Sequence, residues 1–149
     1  MSAITDLNTL LRSLAPIRVP GSYAYLCLDC GSPSIAELAP TAIAQFREAE
    51  GLTLIVDADL AASQAHSIMF RCAWIRLEVN SALDAVGLTA AVSNALSESG
   101  ISCNVIAAAH HDHLFVPLGD AEKALEVLRE LQRKAQSTLV EQQSNRADG

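Results

Sequence analysis

The chain has 149 residues, half of them apolar and 18% charged, with a net charge of −7. That length bounds it to one compact unit or two small ones sharing a core, and ten basic residues against seventeen acidic ones exclude the Lys/Arg footprint that nucleic-acid binding needs. So large an apolar share exceeds what one small core absorbs, so a second buried face is expected, most simply a homodimer interface.

In chain order, Ile4, Leu7, Leu11 and Leu14 recur at spacings of three and four, an amphipathic helix that ends before Pro16. With Asp6 early and Arg12 interrupting the apolar run, this start does not read as a signal peptide. No stretch approaches the roughly 18 apolar residues of a membrane span, so a soluble, cytoplasmic protein without a membrane partner is expected. Residues 22–29 (SYAYLCLD) read as a strand, 31–40 as a Gly/Pro/Ser loop, and 41–48 and 51–56 as strands joined at Ala49-Glu50-Gly51. A short helix over 57–64 takes Asp57 as its N-cap, and 69–80 is a long strand. A helix over 87–99 is stopped by Gly100. Strands 101–109 and 113–117 then flank a histidine cluster, and a helix over 119–135 takes Asp120 as cap. The segment after Gln136 is polar and reads as a frayed tail.

Two clusters look chemical. Cys27 and Cys30 form a C-x-x-C, but residues three apart in a strand point to opposite faces, and Cys72 and Cys103 stand alone. Buried or half-buried free thiols are expected. His110, His111, Asp112 and His113 are consecutive. As a metal site, His111 and His113 share a strand face with Asp112 pointing away, which leaves two ligands, too few for a closed site. As a catalytic pair, adjacent strand residues point apart and cannot orient each other. No G-x-S-x-G, phosphate-loop or H-E-x-x-H pattern supports an enzyme, and no cofactor or metal is expected.

The order of elements repeats. Helix, strand, strand, helix runs from 4 to 64 and again from 83 to 135, and in each half an apolar strand end leads to a helix opening Asp-Ala. This points to an α+β chain of two related modules, 1–66 and 67–136, each an antiparallel sheet covered on one face by helices, with 137–149 as a flexible tail.

Over "DAVGLTAAVSNALSESGISCNVIAAAHHDHLFVP" a strand end, a turn delivering Gly87-Leu88 at a helix start, and Ser99-Gly100-Ile101 before a strand with Asn104-Val105-Ile106 resemble the ACT domain. The ACT domain is a ferredoxin-like (βαββαβ) module that binds amino acids in many metabolic enzymes. The chain is most similar to the ACT pair of aspartate kinases and to small stand-alone bacterial tandem ACT proteins, whose companion signature "FREAEGLTLIV" resembles. Neither half shows the full strand order, so strand 69–80, or strands exchanged between the halves, would complete the sheets.

A helix N-terminus offers unpaired N–H groups to a carboxylate, and Gly87 lets a ligand approach the backbone. A tight turn needing Gly only for geometry is the structural alternative. The resemblance implies an effector beside Gly87, Leu88 and Thr89, between the modules, with Asp112 meeting its ammonium and His111 framing it. Asp112 would otherwise bond its own turn. Glu50 and Gly51 form the equivalent hairpin tip of the first half, either a charged turn or a second half-site. The expected function is thus a non-enzymatic, amino-acid-binding regulatory or sensor protein. The alternatives are an assembly module without ligand and a metal-dependent enzyme using the histidines.

Overall fold

Asp6 accepts a hydrogen bond from the Thr9 backbone N–H at 2.8 Å and so starts α1, Leu7–Arg12. The computed structural model describes residues 2–147. After α1 come β1 (Pro16–Leu28), α2 (Ile35–Leu38), β2 (Ala44–Arg47), β3 (Leu52–Asp57), α3 (Ala58–Ser63) and β4 (Phe70–Leu77). They are followed by α4 (Leu88–Glu98), β5 (Asn104–Ala107), β6 (Asp112–Pro117) and α5 (Ala121–Ala147). The α+β class with antiparallel strands and covering helices is as the sequence implies.

Several elements differ from the sequence reading, each for a local reason. β1 begins at Pro16 rather than at 22, because Pro16, Pro20 and Gly21 argue against a strand that the fold nevertheless forms. The expected loop over 31–40 contains α2 and a helical turn, Ala39–Thr41, drawn in by Leu38, which is fully buried. Asp120 lies in a helical turn, Leu118–Asp120, that runs straight into α5. α5 itself continues past Gln136 to Ala147. Its Gln, Glu, Lys and Arg are polar but good helix formers. Gln132 and Gln136 also donate to the Arg12 carbonyl at 2.9 and 3.0 Å. Of the cysteines, Cys72 is buried and Cys103 half-buried, but Cys27 and Cys30 are exposed. Cys27 points away from the buried Leu26 and Leu28, and Cys30 lies beyond the strand in a turn.

The chain divides into two compact units, residues 20–74 and residues 1–19 with 75–149. β1 and β4 therefore each contribute residues to both. In the unit 20–74, β2, β3, β1 and β4 lie side by side in that order. β3 pairs antiparallel with β1 (Leu26 opposite Leu54, Leu28 opposite Leu52) and with β2 (Phe46 opposite Thr53). One sheet face carries Ala24, Leu26, Leu28, Leu52, Leu54 and Val56, packed with Leu38, Ala58 and Ala61 from the helices. Asp57 caps α3 as expected, accepting from the Asp59 and Leu60 N–H groups at 2.9 Å each.

In the other unit, β1, β4, β6 and β5 are neighbours in that order, and β5 pairs antiparallel with β6. Leu77, Leu114 and Val116 of the strands are buried together with Leu10, Leu88, Val92, Leu96, Ala124 and Leu128 of the helices. α5 packs against both α1 and α4. Its Lys123 ammonium donates to the Ser99 carbonyl at the end of α4 at 2.6 Å, satisfying one of the carbonyls a helix leaves open.

Candidate functional site

β6 opens on Asp112, and strand alternation turns its side chain inward while His111 and His113 on either side stay half-buried. Asp112 is 6% exposed, and its Oδ2 accepts a hydrogen bond from the Ser81 hydroxyl at 2.7 Å. Ser81 is held by the N-terminal segment. Ile4 N–H donates to the Asn80 carbonyl and Ala82 N–H to the Ile4 carbonyl, both at 2.9 Å, in a parallel bridge between Ile4 and Ser81. A buried carboxylate without partners is costly, and the Ser81 hydroxyl offsets that cost for one oxygen. Thirty-one positions separate the two residues, so no sequence motif links them. Ser81 is the site residue that the sequence does not reveal.

Gly87 precedes α4 with φ +105, in the left-handed region, and no side chain caps the helix. A Cβ there would stand 2.9 Å from Leu7 Cδ2. Leu7 is a side chain that can turn aside, so the backbone angle sets most of the penalty. Gly87→Ala is expected to cost about 1–2 kcal/mol, and the loss should persist when Leu7 is also shortened to Ala. A double variant that regains wild-type melting would assign the glycine to packing alone.

Leu88, Thr89, Ser81, Asp112, Ala107 and the 70%-exposed Leu83 line a small cavity of about 40 Å³. Of the residues proposed from sequence, the structure thus brings together Leu88, Thr89 and Asp112, with Gly87 immediately before them. His111 does not line the cavity, and its Nδ1 lies 3.5 Å from the Val79 carbonyl. His113 is held below the usual histidine range, first by burial and then by the positive groups of His111 and Arg76, with Asp112 opposing. Among the described residues no group of three or more His, Cys, Asp or Glu side chains is placed to hold a metal ion.

Glu50 and Gly51 belong to the other unit. Glu50 is exposed, and the hairpin's polar groups serve the turn itself. Glu48 N–H donates to the Gly51 carbonyl at 2.9 Å, and the Thr53 hydroxyl donates to Glu48 Oε1 at 2.8 Å. Two larger hollows, of about 380 and 250 Å³, lie along α5 against α4 and α1. They are open helix grooves, and two of their acids, Glu126 and Glu130, are engaged by Arg133 at 2.7 and 2.8 Å.

Two ACT-domain family models match the chain in succession, one over residues 2–73 and the other over residues 70–130. The chain belongs to the ACT-domain family, with two domains in tandem. A solved protein of unknown function from Vibrio cholerae, described as a possible transport protein, is 40% identical to this tandem ACT protein. The match covers 85% of this chain and 95% of that one, with a TM-score of 0.75. A protein from Agrobacterium tumefaciens is 22% identical over 78% of this chain and 87% of its own, with a TM-score of 0.65. The regulatory subunit of aspartate kinase from Thermus thermophilus shares the fold at 12% identity, covering 80% of this chain and 97% of its own, with a TM-score of 0.58. No curated protein matches the chain. No helix among the described residues is long and apolar enough to cross a membrane.

Proposed function

We propose that this tandem ACT protein is a non-enzymatic regulatory or sensor module that binds a free α-amino acid at the N-terminus of α4, with Asp112 as the ammonium acceptor. The observation that carries the reading is the buried Asp112–Ser81 pair, set in the same cavity wall as Leu88 and Thr89. The two charges of an amino acid need an acceptor and a donor set a few ångströms apart. Asp112 supplies the first, and the first N–H groups of α4, which no side chain caps, supply the second.

Size decides which end enters. A cavity of about 40 Å³ has room for an ammonium or for very few waters, and not for a whole amino acid. The ammonium is therefore the group inside, and the carboxylate and side chain lie at the mouth, beside Thr89 and Leu83. The likeness to aspartate kinase regulatory subunits supports a regulatory role by fold alone. Binding rather than catalysis also suits the thiols of Cys72 and Cys103, which burial pushes up to about 11, out of reach of thiolate chemistry at neutral pH.

The test is thermal unfolding with each of the twenty amino acids at millimolar concentration. A ligand at 100 times its Kd stabilises by about 2.7 kcal/mol, which for a chain of this size raises Tm by roughly 5–10 °C. If none of the twenty moves the transition, the ligand reading fails and an assembly module without ligand takes its place.

A further inference from the structure

The turn that leads into α4 is apolar where a surface turn is ordinarily polar. Leu83 and Val86, 70% and 84% exposed, are the most exposed large apolar side chains described in the unit of residues 1–19 and 75–149. One exposed apolar residue is ordinary, but here two stand within four positions beside a cavity. The backbone holds the turn in place. Ala82 N–H donates to the Ile4 carbonyl at 2.9 Å, and Ala85 N–H donates to the Ala82 carbonyl at 3.0 Å. Leu83 and Asp84 are thereby the two corner residues, and Leu83 is the one that lines the cavity.

At its polar end the cavity has Asp112, more than nine-tenths buried, and Ser81 takes only its Oδ2. No described residue donates to Oδ1, so a buried carboxylate that lines the cavity keeps one oxygen for a donor from outside. Asp112 is also the only charged residue of the lining, which is otherwise Ser81, Leu83, Leu88, Thr89 and alanines. Resting on the assignment of the ligand's ammonium to Asp112, we propose that the ligand is an aliphatic amino acid of the size of valine or leucine, and that Leu83 selects it. Val86 extends the same apolar surface.

The substituents of the α-carbon lead to this class. With the ammonium at Asp112 and the carboxylate at the start of α4, the side chain leaves through the mouth, where Leu83 stands. A side-chain carboxylate would find no Lys, Arg or His in the lining, and would meet the exposed Asp84 beside Leu83. A side-chain ammonium would find only that same carboxylate, and ion pairs formed in water contribute little. An aliphatic chain instead removes the Leu83 surface from water together with its own. The three carbons by which leucine exceeds alanine, about half covered there, correspond to roughly tenfold tighter binding.

Calorimetric titration of the whole chain with leucine, alanine, glutamate and lysine tests the assignment. Leucine should bind about tenfold more tightly than alanine, with glutamate weakest and lysine no better than leucine. Leu83→Lys, at a position whose exposure leaves the fold intact, should bring leucine down to the level of alanine and raise glutamate about 2–5-fold. Asp112→Asn should weaken leucine and alanine by the same factor and so preserve their ratio. If none of the four binds the wild type, the amino-acid site and its selectivity fall together. If alanine binds as tightly as leucine, or glutamate binds best, the amino-acid site stands and the aliphatic assignment is overturned. A Leu83→Lys protein that keeps the tenfold preference for leucine overturns the role of Leu83.

Discussion

Gly51→Ala is expected to lose about 3 kcal/mol of stability, the largest loss of any glycine substitution among the described residues. Gly51 is buried at the point where the β2–β3 hairpin closes onto the end of β1. A Cβ there would lie 2.6 Å from the Leu28 carbonyl oxygen and 3.0 Å from Cys27 Sγ. The first obstacle is backbone, so no rotamer change relieves it. The hairpin must lift, and the pair it lifts is Leu28 opposite Leu52, both members of the core. For a chain of this length the loss should lower Tm by roughly 6–12 °C. Gly31→Ala is the control, because nothing stands within 4 Å of its Cβ, and it should melt within about 2 °C of wild type. If Gly51→Ala melts like Gly31→Ala, the close approach to β1 is not what requires the glycine.

That result bears on how the hairpin tip is understood. From the sequence, Glu50-Gly51 reads first as a charged turn and only second as a half-site. The structure gives Gly51 a steric task and leaves Glu50 exposed, so both residues are accounted for without a ligand.

Elements whose signal is local were legible in the sequence. Helix α4 shows Leu88, Val92 and Leu96 at helical spacing with Gly100 behind it, and Asp57 caps α3 where its position before the helix implies. Elements that depend on distant partners were not. β1 starts through two prolines because neighbouring strands give it a place in the sheet. α5 persists beyond Gln136 with two glutamines bonded to Arg12, more than a hundred positions away in sequence. The site divides along the same line. Gly87 and Asp112 carry local marks, a helix start and a polar residue in an apolar strand. Ser81 carries none, because what places it is a backbone bridge to Ile4 and a hydrogen bond to Asp112, both far away in sequence.

That division makes Asp112→Asn the decisive substitution, and Asp112→Ala its necessary companion. Alanine removes the acceptor and leaves the Ser81 hydroxyl buried and unpaired, a loss of about 1–3 kcal/mol of stability whatever the ligand does. A protein that no longer responds to amino acids would then be ambiguous between lost binding and a loosened site. Asparagine keeps the size and one acceptor oxygen for Ser81, so the unliganded protein should melt close to wild type. What it lacks is the charge that meets an ammonium. Hydrogen bonds to charged groups contribute about 1.5–3 kcal/mol, so affinity should fall by roughly 10–100-fold. The amino-acid-dependent shift should shrink at a fixed concentration and return only when the ligand is raised by that factor. Retention of wild-type affinity in Asp112→Asn would show that the ammonium does not bind this carboxylate. The Asp112–Ser81 pair would then be a structural tie between β6 and the segment after β4, and the cavity beside α4 would hold water rather than ligand.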